Sequence, residues 1–233
     1  MDYKDFESGC KYSNFWLKAK KDMTEILIYK AASLNKNKLK ILDIGTGIAD
    51  MEISKKYGKV HAIDIDKNTI LLSRHDIKGM ADACSLPYKN NSFDMVICMD
   101  VFEHIQNDMA ASLEIHRVLK KGGFLLFSVP AFQFLFSSHD RYLDHKRRYQ
   151  KFMIKDILSI FDNINISYWN FCLFIPIAAV RILKRNSQPR TDLMTPPKPV
   201  NFILHTLLKI ENSFIRNGIK LPIGISIVGY CRK

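Results

Sequence analysis

Two glycines and two aspartates in the first third of the chain have the types and spacing of a nucleoside-binding site. Asp43, Gly45 and Gly47 stand close together in the stretch KILDIGTGIAD. Glycine allows a tight turn and lets a ligand lie against bare backbone. Asp64 follows about 20 residues after Asp43, the spacing at which a carboxylate reaches a ribose hydroxyl. The pattern predicts a site for a cofactor that contains a nucleoside.

The residue at position 50 bears on the kind of cofactor. A pyrophosphate needs a glycine-rich loop that closes on a helix N-terminus. Asp50 stands where the third glycine of the dinucleotide pattern belongs, and an acid there repels a pyrophosphate. A cationic cofactor without phosphate tolerates this acid. S-adenosylmethionine (SAM), with its adenosine, sulfonium cation and amino-acid tail, meets that condition, and a dinucleotide is the alternative.

A second group of reactive side chains lies in the stretch HDRYLDHKRRY, which begins at His139. His139 or His145 could accept a proton from a hydroxyl, because the pKa of free imidazole is near neutral. Arg147 and Arg148 could bind a phosphate or carboxylate through paired N–H groups, and Tyr149 follows them. The alternative is a solvated basic loop that leads into a helix.

Short apolar runs are expected to bring the first group of residues to one edge of a parallel sheet. Ile41, Leu42 and Ile44 have the pattern of a buried strand, and the carboxyl ends of such strands meet at the ligand crevice. The sequence predicts further strands at 60–64, 79–82, 94–99, 124–129, 164–169 and 225–230. It predicts helices at 23–34, 51–56, 69–74, 109–121 and 152–161, the fourth closed by Gly122–Gly123 as a C-cap.

The chain between about residues 39 and 130 resembles the class I SAM-dependent methyltransferases of the type 11/12-like branch. The resemblance rests on the Gly-x-Gly turn, Asp82-Ala83, Leu86-Pro87-Tyr88, residues 92–97, Glu103-His104-Ile105 and residues 117–123. Ala49 departs from the family, where many members have a third glycine. The resemblance implies an α/β fold, a Rossmann-like three-layer sandwich with a seven-stranded, mostly parallel sheet whose last strand is antiparallel. It implies a lid segment at 1–38 and a methyltransferase domain at 39–233, with substrate-region insertions near 131–155 and 171–220.

The same resemblance implies roles for individual residues. In the family, the acid matching Asp64 binds both ribose hydroxyls, while the acid matching Asp82 and the backbone of Ala83 bind adenine. Asp66 could instead cap the next helix. The expected cofactor-binding set is Asp43, Gly45, Thr46, Gly47, Asp64, Ile65, Asp82, Ala83 and Met99.

Three further residues are candidates for contact with the substrate or cofactor. The aromatic and basic segment around Trp16 resembles one that precedes the SAM domain in a subgroup of the family. A helix there could cover the cofactor cleft and bring Lys20 to the methionyl carboxylate, or Trp16 could pack on the domain surface. His104 could touch the methyl acceptor, although a histidine at the start of a helix is more often structural.

Composition limits the possible partners. The 233-residue chain has 35 Lys and Arg against 23 Asp and Glu, a net charge of +12 and a pI near 9.4. This charge suggests nucleic acid, an anionic membrane or an anionic substrate, or reflects a biased proteome. The five cysteines show no C-x-x-C spacing, which favours reduced thiols, no metal cluster and a cytoplasmic protein. An apolar signal core is not visible at the N-terminus, and the longest apolar run, 171–180, is too short for a membrane span.

The C-terminal part combines apolar and basic residues. After the proline-rich break at 196–199, residues 200–219 carry Ile203, Leu207, Ile210 and Phe214 at helical spacing. This amphipathic helix could cover the active site or lie on an anionic membrane at the inner face. Packing of the apolar side into the core is the commoner arrangement and is the one we expect.

These observations predict an enzyme that transfers a methyl group from SAM by direct displacement to a hydroxyl or amine, without a metal. The His-x-Arg-Arg-Tyr motif resembles one found in methyltransferases of surface-polysaccharide and glycolipid assembly, so a sugar or glycolipid precursor is the preferred acceptor. The alternatives are a small-molecule or quinone methyltransferase, a nucleic-acid methyltransferase, and a SAM-binding protein without catalysis. The oligomeric state is not indicated.

Overall fold

The computed structural model describes residues 11, 13–32, 38–47, 55–191 and 194–233. Its strands are β1 (Leu39–Ile44), β2 (Gly58–Asp64), β3 (Ile77–Met80), β4 (Phe93–Met99), β5 (Leu119–Pro130), β6 (Asp162–Trp169) and β7 (Ser226–Arg232). Its described helices are α1 (Phe15–Ala32), α2 (Lys67–Leu72), α3 (Asp108–Val118), α4 (Ser138–Tyr142), α5 (Lys151–Ile157), α6 (Phe174–Leu183) and α7 (Lys198–Arg216). Short 3₁₀ turns cover Phe102–His104 and Gln133–Leu135.

The strands form one seven-stranded sheet in the order β3-β2-β1-β4-β5-β7-β6. The first five pair in parallel, and β7 runs antiparallel between β5 and β6. The central strands are buried on both faces: Ile41, Val96 and Leu125 have no exposed surface. Near-continuous apolar runs are typical of such covered parallel strands. The predicted Rossmann-like sheet with an antiparallel last strand is confirmed.

Several predicted boundaries are wrong: the helix expected at 23–34 begins at Phe15, and the one expected at 152–161 ends at Ile157. Two further differences change the setting of named residues. Helix α3 ends at Val118, and Leu119 already begins β5. Gly122 therefore caps no helix; it has φ +78° and donates its N–H to the carbonyl of Lys233 at 2.7 Å. Strand β3 ends at Met80, so Asp82 lies in the following turn. Residues 51–54 of the predicted helix 51–56, together with Ala49 and Asp50, lie outside the described residues.

Helix α7 turns its apolar stripe towards solvent, although we expected this stripe to face the core. The predicted apolar stripe of Ile203, Leu207, Ile210 and Phe214 is between 37% and 57% exposed. The side that packs on the domain instead contains the buried polar residues Glu211 and Asn212, beside Leu208 and Ile215. The expectation of core packing for this stripe is therefore wrong.

The sequence analysis also expected reduced cysteines and no membrane-spanning segment. Four of the cysteines lie in the described part of the chain, and all four are free thiols. Among the described helices, none has the length and apolarity to cross a membrane.

Candidate functional site

A cavity of about 1090 Å³ lies at the carboxyl edge of the sheet. The ends of β1, β2, β5 and β7 and the residues directly after β4 contribute to its wall, together with side chains from α1, α6 and α7. This is the position that the topology predicts for a ligand, because the order in which strands are added to the sheet reverses direction between β1 and β4.

The glycine turn after β1 presents bare backbone to the cavity. Gly45 and Gly47 both have positive φ, +65° and +59°. A Cβ on Gly45 would lie 2.4 Å from Cγ2 of Val101, so no larger residue fits without a shift. The N–H of Gly45 donates to the carbonyl of Ile63 at 2.9 Å, which fixes the turn against β2.

Asp64 stands at the end of β2 on the cavity wall. Its carboxylate accepts from the N–H of Gly47 at 3.3 Å and from the N–H of Asp66 at 3.0 Å. Burial raises the pKa of Asp64, although these two bonds oppose the rise. Asp66 accepts from the N–H groups of Asn68 and Thr69 and is the N-cap of α2, as the capping alternative predicted.

The next part of the wall is a turn built on Asp82. Its side chain accepts from the N–H of Cys84 at 2.8 Å, which holds the turn after β3 in place. Asp82 and Ala83 line the cavity together with Ile65, whose side chain is 71% exposed. A flat apolar group could lie on Ile65 while its polar edge meets this turn.

Three of the predicted cofactor-binding residues do not line the cavity: Asp43, Thr46 and Met99. Met99 is buried in the core, and the next residue, Asp100, lies on the wall instead. Asp43 is buried behind the turn, where burial raises its pKa to about 7 despite a bond with Thr46. His75 Nε2 lies 3.8 Å from its Oδ2.

Asp100 connects the sheet to helix α1. Its carboxylate accepts from the ammonium of Lys20 and from the hydroxyl of Ser128. Burial alone would raise the pKa of Asp100, but the Lys20 charge and these bonds hold it at about 2. Lys20 lines the cavity, and its charge is already paired within the protein.

Helix α1 closes one side of the cavity. Trp16 lines the wall, and its ring centroid lies 5.1 Å from that of Trp169 at the end of β6. Asn212 of α7 donates to the carbonyl of Ala19 at 2.9 Å and so ties the two helices together. Trp16 thus belongs to the cavity and does not simply cover the outer surface.

The segment after β4 brings two ionisable side chains, those of Glu103 and His104, to the cavity wall. Glu103 is fully buried, and neither carboxylate oxygen has a hydrogen-bond partner among the described residues. Burial, and then the charge of Asp100, raise its pKa well above the usual value. Burial and the neighbouring His145 lower the pKa of His104 to about 3.

His145 is held by a buried carboxylate. Its Nδ1 lies 2.9 Å from Oδ1 of Asp140, which also accepts from Nε of Arg148 at 2.8 Å. The other oxygen of Asp140 accepts from Arg181 at 3.0 Å. Burial opposes ionisation of Asp140, but these partners hold its pKa far below the usual range. Because an ionised carboxylate only accepts, Nδ1 of His145 carries the proton and Nε2 is the basic nitrogen.

The predicted arginine pair does not act as one fork. Arg147 turns to Asp108 at 3.2 Å and to the carbonyl of Gln106 at 2.8 Å, while Arg148 turns inward to Asp140. Tyr149 is buried and donates its hydroxyl towards Asp108 and the carbonyl of Phe102, each at 2.9 Å. Arg147 and Tyr149 do not line the cavity. The structure therefore does not place these two side chains where they were expected, at a substrate in this cavity.

The remaining part of the wall is mostly apolar. It includes His139, which is buried and whose pKa is held well below its usual value by burial and then by the charge of Arg181. The apolar lining comes from β7 and the helical segments after β6: Leu173, Pro176, Ile177, Val180, Leu204 and Ile225. The sequence analysis gave no role to these residues or to Arg181, since only the fold brings them to the cavity. Asp140 lies within the stretch HDRYLDHKRRY, but the analysis assigned it no role.

Glu103, His104 and His145 could also hold a metal ion. Each offers one ligand atom, and the three atoms lie within 4.8 Å of one another. Two histidines and a carboxylate are a common ligand set for a divalent cation. The sequence predicted no metal, because His145 is distant from the other two along the chain.

Comparison with known proteins decides the family. A profile described as "Methyltransferase domain" matches residues 42–127. An uncharacterised protein of Methanocaldococcus jannaschii is 31% identical over 187 residues, which are 75% of this chain and 80% of that protein. The chain belongs to the SAM-dependent methyltransferases.

Named relatives match this methyltransferase over shorter ranges. Malonyl-[acyl-carrier protein] O-methyltransferase 1 of Coxiella burnetii is 27% identical over 57% of this chain and 48% of its own length. A ubiquinone/menaquinone biosynthesis C-methyltransferase of Wigglesworthia glossinidia brevipalpis is 32% identical over 44% of this chain and 48% of its own length. The chain thus spans about half the length of these two relatives.

Solved structures share the fold. Phosphoethanolamine N-methyltransferase 2 of Haemonchus contortus, in complex with SAM, matches 90% of this chain and 52% of its own, with 21% identity and a TM-score of 0.59. A SAM-dependent methyltransferase of Archaeoglobus fulgidus matches 91% of this chain and 94% of its own, with 16% identity and a TM-score of 0.58.

The cavity fits the cofactor that this family uses, SAM. The wall carries the acids Asp64, Asp66, Asp82 and Asp100, which suit ribose hydroxyls, an adenine amino group and a cationic centre. The bare backbone at Gly45 allows close approach. SAM supplies a methyl group that is already activated, so the protein's own residues have to bind, align and exclude water, and to move a proton where the acceptor must lose one.

Proposed function

We propose that this methyltransferase transfers the methyl group of SAM to a hydroxyl or amine on an acceptor with an apolar body. The observation that carries the proposal is the apolar wall beyond the acidic residues, built by Leu173, Ile177, Val180 and Leu204. Apolar walls with a few polar groups are typical of sites for largely apolar ligands. A nucleic-acid acceptor would instead call for an open basic groove.

Two acceptor classes combine an apolar body with a position that can take the methyl group. One is a sugar or glycolipid precursor of a polysaccharide, which the His-x-Arg-Arg-Tyr motif favoured. The other is a quinone precursor, favoured by relatives named as a ubiquinone/menaquinone biosynthesis C-methyltransferase and a demethylmenaquinone methyltransferase. As the first name states transfer to carbon, this alternative places the methyl group on a ring carbon and not on a hydroxyl or amine. Either acceptor, if lipid-linked, implies peripheral contact with a membrane.

We assign the cofactor half to the acidic side of the cavity. In this proposal Asp64 binds the ribose, Asp82 and Ala83 bind adenine above Ile65, and the backbone of the Gly45–Gly47 turn faces the amino-acid tail. Lys20 and Asp100 complete this side as a fixed ion pair. Trp16 covers the cleft.

We assign the proton-accepting role to His145. Asp140 fixes the tautomer through Nδ1, which leaves the lone pair of Nε2 to act as the base. Asp140 is a positioning residue, and Arg148 and Arg181 keep it ionised. His104 and His139 contribute less as bases, since burial lowers the pKa of each.

The acceptor can be identified with radiolabelled SAM. The purified protein is incubated with a lipid-linked sugar fraction, with demethylated quinols and with RNA or DNA. Label in either of the first two fractions supports the proposal and distinguishes the two sources. Label only in nucleic acid, or tight SAM binding without turnover on any of the fractions, contradicts it.

The role of His145 is tested by His145→Asn. We expect kcat to fall by about 10²- to 10⁴-fold on a hydroxyl acceptor, the usual contribution of a general base. SAM affinity, measured by calorimetry, should stay within about threefold, and His104→Asn is the matched control. If the kcat of His145→Asn falls by less than about tenfold, another group takes the proton.

A further inference from the structure

The polar side of helix α7 attaches it firmly to the domain. Glu211 accepts from the backbone N–H groups of Asn170, Phe171 and Cys172. Asn212 accepts from the indole N–H of Trp169 at 2.8 Å. These bonds satisfy the start of the segment after β6 and fix which side of the helix faces inward. The apolar stripe therefore faces outward because of specific contacts.

The outward side of α7 is an unusual surface for a protein in water. Besides the stripe, Phe202 is 71% exposed. Contiguous exposed apolar surface of this kind marks an interaction site more often than a free surface. A helix with an apolar face and a polar face is also the form taken by helices that lie in a membrane interface.

Helix α6 also carries exposed apolar side chains. Ile175, Ile182 and Leu183 are 78%, 54% and 85% exposed. The inner sides of the same two helices line the cavity, through Ile177 of α6 and Leu204 of α7. The exposed apolar groups thus lie on the elements that separate the acceptor end of the cavity from the outside.

The charge of this segment is complementary to an anionic surface. Residues 171–220 contain eight Lys and Arg and two Asp and Glu, a net charge of +6, which is half of the charge of the whole chain. Glu211 is buried, and Arg181 lines the cavity and pairs with Asp140, so neither contributes to the outer surface. Seven Lys and Arg and one Asp remain, which is still a net charge of +6. Lys198, Lys209 and Arg216 lie on α7 itself and Lys184 follows α6. Two copies of so basic a face would repel each other, whereas anionic lipid offers both counter-charge and apolar volume.

We propose that the outer faces of α6 and α7 dock on an anionic bilayer, so that a lipid-linked acceptor reaches the cavity from the membrane. The delivery of the acceptor rests on the proposed function, while the docking itself does not depend on turnover. Apolar side chains enter the headgroup boundary, and the basic residues meet lipid phosphates at its rim.

Docking is tested by co-sedimentation of the full chain with vesicles. We expect binding to vesicles of phosphatidylcholine with phosphatidylglycerol, and binding at least about tenfold weaker to phosphatidylcholine alone. Ile203→Asp combined with Phe214→Asp should weaken binding to the anionic vesicles at least about tenfold. Leu113→Asp, an exposed leucine on α3, is the control and should bind normally.

Calorimetric SAM binding and turnover of a detergent-solubilised acceptor separate the two proposals. Both should be unchanged in the α7 variant if only docking is lost. Equal vesicle binding by the α7 variant and the native chain would overturn the docking surface. The proposal would also be overturned if light scattering showed that the native chain is a dimer and the α7 variant a monomer, because the face would then bind a second copy.

Discussion

Asp43 shows how a single buried group can link stability to pH. Burial raises its pKa from 3.8 to about 7. Between these two values the folded state binds more protons than the unfolded state, so the free energy of unfolding falls as pH rises through this range. The full effect of a shift of this size is about 4 kcal/mol, present below about pH 4 and lost above about pH 7.

Chemical denaturation between pH 4 and 8 tests this expectation. The native chain should lose stability across the range, and Asp43→Asn should show a flatter profile because its side chain does not titrate. Asp76→Asn, at an exposed acid next to His75, serves as the control. Parallel profiles for Asp43→Asn and the native chain would assign the pH dependence to other groups.

At the scale of elements, α1 and β4 depend on each other through Lys20 and Asp100. Lys20→Met leaves the Asp100 carboxylate near the end of β4 with Ser128 but without its counter-charge. We expect a loss of about 1–3 kcal/mol in the free energy of unfolding, discounted because the Asp100 side chain is 33% exposed. Urea denaturation measures this loss.

A matched variant and a double variant make the result specific. Lys21→Met removes a charge from an exposed position on the same helix and should change stability by less than about 0.5 kcal/mol. Asp100→Asn in the Lys20→Met background should restore part of the loss. Equal losses in Lys20→Met and Lys21→Met would mean that the pair does not hold α1 in place.

At the scale of the whole molecule, methyl transfer can take place with or without a bound metal ion. The sequence analysis predicts transfer without a metal, so activity should survive dialysis against a chelator. The prediction is wrong if activity is lost and returns with Mg²⁺, Mn²⁺ or Zn²⁺. In that case Glu103→Gln, at the carboxylate of the potential ligand set, should abolish the rescue while SAM binding persists.

The sequence by itself determined the sheet and one half of the candidate site. Apolar runs such as Ile41–Ile44, the two glycines and Asp64 are local signals, because a strand, a turn and a strand end each depend on a few adjacent residues. A family pattern added Asp82 and Ala83. These residues lie together because the topology places the carboxyl ends of parallel strands at one edge.

The tertiary structure decided the rest. The ion pair of Asp140 with Arg181, the turn of Arg147 towards Asp108, and the outward stripe of α7 depend on partners distant along the chain. A helical periodicity shows that α7 has an apolar side, but it does not say which side faces the domain. Buried hydrogen bonds to Glu211 and Asn212 decided that orientation, since these groups find their partners only once β6 and α1 are in place.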